Sequence, residues 1–192
     1  AAKIDQDTVG GYCEVHAFGC PPGLGSCVAW QEKLDSKLAA AVMGIQAFKA
    51  VEIGIGIRCG ALRGSKVHDP IVYSQAHASQ SNLGFDRPTN HAGGIEGGMT
   101  NGMPIVVRGT MKPISTLLQG MDNVDLLTGE FARSDYERSD ICALPAASVV
   151  MENAVGFEIA AAFLESFSGA TMEMVRASHD AYAAAVRNII SS

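Results

Sequence analysis

TNHAGGIEGGMTNGMPIVVRGTMKPIST, residues 89–116, is the stretch on which the reading of this chain turns. Two glycine pairs, Gly93-Gly94 and Gly97-Gly98, and a Thr100-Asn101-Gly102 turn precede a short apolar run. Lys112, Pro113, Ile114, Ser115 and Thr116 follow it. Glycine takes positive φ without strain and lets a backbone approach a ligand that a Cβ would hold off. Lysine is a point charge suited to a phosphate, and Ser115 and Thr116 add hydroxyl donors beside it. A second cluster, RSDICALPAA at 138–147, carries Arg138, Asp140 and Cys142. Together the two clusters suggest a site for a flat, phosphorylated, anionic ligand.

Working outward, the apolar run 104–110 reads as a strand, and 8–18 as another, rich in β-formers. Residues 20–25, CPPGLG, form a turn. Leu34, Leu38, Val42 and Ile45 recur at helical spacing, which predicts an amphipathic helix over 31–48. Residues 51–57 alternate with glycine and predict a strand pressed against another backbone. Residues 58–90 hold most of the polar, glycine and proline content and read as a long loop, a candidate active-site lid. Residues 122–130 read as a connection. Pro145 suits a first helical turn, where its missing N–H costs nothing. That helix is expected to reach about residue 167 and stop at Gly169, with a last helix over about 172–190.

The chain has 192 residues, 47% of them apolar, enough for one domain with a real core. Its net charge of −6 is unevenly spread: the span 49–112 is about +3 and the rest about −9. Charge sorting of this size also arises by chance. With 6% aromatic residues and no dense basic stripe, nucleic acid is not an expected partner. The longest apolar run is alanine-rich and too short to cross a membrane, so no membrane is expected. Five cysteines (13, 20, 27, 59, 142) without a CxxC pair fit a reducing cytoplasm better than a disulfide scaffold or zinc ribbon.

GGIEGGMTNG at 93–102, KPIST at 112–116 and RSDICALPA at 138–146 resemble the chorismate synthase family in wording, order and spacing. GLGS at 23–26, LDSKLAAAVMGIQAFKAVEIG at 34–54 and RGSKVHD at 63–69 match as well, the helix wording resembling the actinobacterial branch. The resemblance covers nearly the whole chain but only the C-terminal half of the family's length. The family's N-terminal histidine and arginine-rich segments are absent; Ala50, where the family usually has Gly, and 70–88 depart from the pattern. What the resemblance implies is an α+β fold, a β-α-β sandwich with only its C-terminal half present, in a cytoplasmic homotetramer. The implied activity is a 1,4-anti elimination of phosphate from 5-enolpyruvylshikimate 3-phosphate to give chorismate, requiring reduced FMN, in the shikimate pathway of aromatic amino acid biosynthesis. Gln46, Ala47, Gly97, Lys112, Pro113, Ile114, Ser115, Thr116 and Arg138 are the implied flavin contacts, and Asp140 the implied proton-handling residue near flavin N5.

Each of these residues has a plainer reading. Lysine at a strand end is usually solvated. Arg138 and Asp140, two apart on an extended segment, share a side and could be a weak surface ion pair. Glycine pairs are usually turns, and a glutamine near a helix end is usually solvated. The histidines (16, 68, 77, 91, 179) lack metal-ligand spacing, no metal is expected, and none is assigned catalysis. Three alternatives stay open: an inactive fragment that binds flavin or holds an oligomer, a Schiff-base enzyme using Lys112, and a phosphate-binding module.

Overall fold

The computed structural model describes residues 2, 4–135 and 140–191. Its centre is a three-stranded antiparallel sheet in the order β1-β7-β2, made of β1 (Gly11–Ala17), β2 (Phe48–Ile53) and β7 (Ile105–Met111). Gly11 faces Met111 and Ala17 faces Ile105, while Phe48 also faces Met111 and Ile53 faces Val107. Side chains alternate across the sheet. Cys13, Val15, Val51, Ile53, Ile105 and Val107 point to the core, whereas Glu14, Glu52 and Arg108 meet in ion pairs on the other face.

The core face is covered by α1 (Leu34–Met43) and α2 (Leu144–Ser166), which pack on the sheet and on each other. Leu34, Leu38 and Val42, four apart, are fully enclosed on α1, and Met151, Val155 and Ala162 are nearly so on α2. Gly109 leaves room in mid-sheet: a Cβ there would lie 2.6 Å from Phe48 Cδ1 and 3.0 Å from Met151 Sδ. α3 (Met172–Ser191) folds back and seats Tyr182, whose hydroxyl donates to Pro22 O at 2.9 Å.

Four expectations change. The helix expected over 31–48 is ten residues long, because Gly44 closes it and 44–47 form a turn. The strand expected over 51–57 begins at Phe48, with a bulge between Phe48 and Ala50. The 122–130 connection is a hairpin of β8 (Asp122–Val124) and β9 (Phe131–Arg133), with Asp125 Oδ1 accepting the Leu127 and Thr128 N–H groups across its turn. The stretch 58–90 contains short 3-10 turns and a strand pair, β3 (Val72–Tyr73) with β4 (Phe85–Asp86). The two later helices start and stop within a residue or two of expectation. By length and composition α2 could cross a membrane, a feature the apolar-run reading passed over; the same helix supplies Ala147, Met151, Val155 and Ala162 to the core.

Candidate functional site

At the end of the sheet where Gly11, Phe48 and Met111 meet, three distant segments converge. The turn after α1 brings Gln46 and Ala47 there, and Ala47 stands at φ +70°. A non-glycine residue in that region costs roughly 1–2 kcal/mol and marks a constrained position. Its carbonyl accepts the Lys112 N–H at 3.0 Å, tying the turn to the loop that leaves β7. Two residues on, Ile114 O accepts the Thr8 hydroxyl at 2.6 Å. Val9 N–H in turn donates to Ile141 O at 2.8 Å, which places the backbone beside Asp140 against the same corner.

Within this corner Lys112, Pro113, Ser115 and Asp140 are exposed, and Ile114 and Thr116 half-buried. A cavity of about 280 Å³ adjoins the loop, lined by Ser115, Thr116, Asn123, Ser134 and Asp135 among others. Hydroxyls and an amide suit phosphate oxygens, while the Asp135 carboxylate opposes an anion. Arg133 is committed to Asp122 and to Gln119 O. Lys112 is therefore the cation this loop offers a phosphate. Arg138 lies outside the described residues.

Gly97 is not brought to this corner. It lies in the tight turn between β5 (Ile95–Glu96) and β6 (Met99–Thr100), where Gly97 and Gly98 both take positive φ, as a two-residue hairpin turn of type I′ requires. Leu34 N–H donates to Gly98 O at 2.9 Å, so the hairpin stands at the N-terminal end of α1 whereas Ala47 follows its C-terminal end. Ten helical residues separate the two by about 15 Å. A Cβ on Gly97 would meet nothing within 4 Å, which leaves its surface open to a ligand.

Other titratable groups serve the frame. Asp69, with a fully enclosed side chain, accepts the Thr89 hydroxyl and the His91 and Ala92 N–H groups. Burial pushes its carboxyl up, but those hydrogen bonds outweigh it and hold the group below the usual range. Glu14 is also held low, chiefly by its hydrogen bond to His16 and by Arg108 against the cost of burial. His179 packs against the rings of Phe163 and Phe167. Among the described residues no three histidine, cysteine or carboxylate groups gather as for a metal.

Thr8 and Gly10 were not singled out by sequence. The signal for them is slight: a threonine and a double glycine before an alternating run. Only the contact with 111–114 gives them meaning.

A family model described as chorismate synthase matches residues 1–164. The chorismate synthase of Trichlorobacter lovleyi is 51% identical over 187 residues, covering 97% of this chain and 48% of that protein. That of Geotalea uraniireducens is 52% identical over 183 residues, covering 94% and 46%. Chorismate synthase 1 of Bacillus cereus is 51% identical over 185 residues, covering 95% and 46%. A crystal structure of chorismate synthase superposes with a TM-score of 0.79 at 39% identity, over 97% of this chain and 46% of that one. The chain thus spans about half the length of the curated relatives it matches, and its sheet and helices are part of that architecture.

Proposed function

The chain belongs to the chorismate synthase family, and from that premise we propose that it is the C-terminal half of an enzyme that eliminates phosphate from 5-enolpyruvylshikimate 3-phosphate to give chorismate. The observation that carries this reading is the corner where the 46–47 turn, the 112–116 loop and the Asp140 segment meet, through the Lys112 and Val9 backbone N–H groups and the Thr8 hydroxyl. The residues fit FMN: Lys112, Ser115 and Thr116 offer a cation and two hydroxyls for its phosphate, and Gln46 and Ala47 border the same loop. Reduced FMN, when bound, supplies an electron-rich ring that favours departure of an allylic phosphate, the hard chemistry a protein leaves to its cofactor. This chain's residues bind and orient. Pro113 stiffens the backbone next to Lys112, so the ammonium is held at lower entropic cost. In the elimination a C–H and a C–O bond break, and the proton must be accepted while phosphate leaves with the other electron pair. The Asp140 carboxylate, on the wording at 138–142, is the group we assign to hold that proton.

A second reading is favoured by the span of the match. With about half of the relatives' length present, this chain by itself is a flavin-binding fragment without turnover. Substrate-binding cations beyond Lys112 and Arg138 then come from the other half, and the assembled enzyme is a cytoplasmic homotetramer. As one domain, the chain uses 58–90 as cover: turns of that stretch border a second cavity, lined by Cys59, His68, Asp69 and His91 among others.

The test is a flavin fluorescence titration. The chain should bind FMN, and Lys112→Ala should weaken binding by about 1.5–3 kcal/mol, the size of a hydrogen bond to a charged group. An unchanged dissociation constant removes Lys112 from the site. Borohydride trapping with a carbonyl substrate separates the Schiff-base alternative, which alone predicts a covalent adduct at Lys112. Binding of inorganic phosphate without FMN binding would point to a plain phosphate module.

A further inference from the structure

Residues 6–10 run as a strap across the corner just described. Gln6 O accepts the Gln119 N–H at 3.3 Å, the Thr8 hydroxyl donates to Ile114 O at 2.6 Å, and Val9 N–H donates to Ile141 O at 2.8 Å. Thr8 is buried, at 8% exposure, and its own N–H is taken by Asp7 Oδ1 at 2.7 Å. Gly10 must be a glycine for the strap to lie this close. A Cβ there would collide with Met111 O and stand 2.8 Å from Pro113 N. The strap therefore touches the 112–116 loop and the segment after Asp140 with consecutive residues. Those two segments are otherwise far apart in sequence.

We propose that Thr8 is a positioning residue that fixes the 112–116 loop against the 140–142 segment, so that Lys112, Ser115 and Thr116 keep the geometry in which they hold a phosphate. The inference rests on the reading of that loop as the flavin anchor. A hydroxyl is needed because the Ile114 carbonyl turns inward to Thr8. Valine has the same shape but leaves that carbonyl without its partner, and the loop relaxes to find water. Loss of one such bond at a half-buried acceptor is felt locally, since the β7 ladder that ends at Met111 is independent of it.

Thr8→Val and Thr8→Ser in the 192-residue chain test this, with two readouts. One is FMN affinity by fluorescence titration, with Lys112→Ala in parallel. The other is amide hydrogen exchange, without ligand, at Lys112 and Val9, whose N–H groups tie the loop to Ala47 O and the strap to Ile141 O. Thr8→Val should weaken FMN at least about fivefold and speed exchange at both amides by a similar factor, the scale of one hydrogen bond. Thr8→Ser, which keeps the donor, should stay within about twofold of the parent in both. If Lys112→Ala weakens binding and Thr8→Val does not, the positioning role is wrong while the site stands. Should Thr8→Ser behave as badly as Thr8→Val, the effect is one of packing and the inference falls. If neither Lys112→Ala nor Thr8→Val changes FMN affinity, the flavin reading of the loop falls and the positioning role with it.

Discussion

Asp69→Asn isolates a clamp on which the glycine-rich stretch depends. Asp69 Oδ1 accepts the Thr89 hydroxyl and the His91 N–H, and Oδ2 accepts the Ala92 N–H at 2.9 Å. The side chain is fully enclosed, so water does not compete for these lone pairs. In the asparagine variant the amide oxygen keeps the first two bonds, but the NH₂ faces the Ala92 N–H and two donors meet. One charge-assisted hydrogen bond, about 1.5–3 kcal/mol, is lost, and a donor is left unpaired, so the expected cost is about 2–4 kcal/mol. For a chain of this size that lowers the melting temperature by about 6–12 °C. The dependence on pH has a definite sign. The folded carboxyl titrates below its unfolded value, so its contribution is complete above pH about 4 and is lost as the pH falls through the lowered folded pKa. Thermal melts of both proteins from neutral pH downward measure this. The stability gap between them should be constant at neutral pH and shrink on acidification. An asparagine variant within about 0.5 kcal/mol of the parent, or a gap that widens in acid, refutes the clamp.

Gly109→Ala should cost about 1–3 kcal/mol in urea unfolding, since the new methyl enters the space of the Phe48 ring and Met151 Sδ; a neutral result would mean the ring swings aside freely. Asp140→Asn, in a chain carrying both halves, should keep FMN affinity within about twofold and lose at least about 100-fold in single-turnover chorismate formation under anaerobic conditions, the scale of general acid–base catalysis. Turnover equal to the parent would make Asp140 structural.

The parts legible in the sequence were those where burial imposes a period. β1, β7 and the core stripe of α1 show it, and the strand expected to press on another backbone does so through Gly54, which abuts Gly93. Where burial imposes none, the reading failed. β8 is exposed throughout and β9 nearly so, so their residues carry no alternation and the hairpin passed as a connection. The overlong α1 has a different cause. Ile45 keeps helical spacing because it packs into the core, but it does so from the turn that follows Gly44, so the apolar period runs on past the helix's end. The bulge at the start of β2 hid that strand in the same way, by adding a residue to the alternation. Motif wording located the loop of Lys112 and the segment of Asp140. It had no means of finding Thr8, whose role rests on a bond across 106 residues.

The separation of Gly97 from Lys112 changes what each substitution can report. Gly97 and Gly98 both sit at positive φ in a two-residue turn, and Gly98 O holds the first N–H of α1. Replacing Gly97 by alanine puts a Cβ into open space but into a backbone conformation that alanine resists. The hairpin then shifts together with the N-terminal end of α1, and an affinity loss would register that shift as well as any lost ligand contact. Lys112 is free of this ambiguity. Its backbone N–H, bonded to Ala47 O, is untouched by truncation to alanine, and its side chain is exposed. A loss of affinity there reports the ammonium alone, which makes Lys112 the sounder first probe of the flavin reading and leaves Gly97 to be interpreted against measured stability.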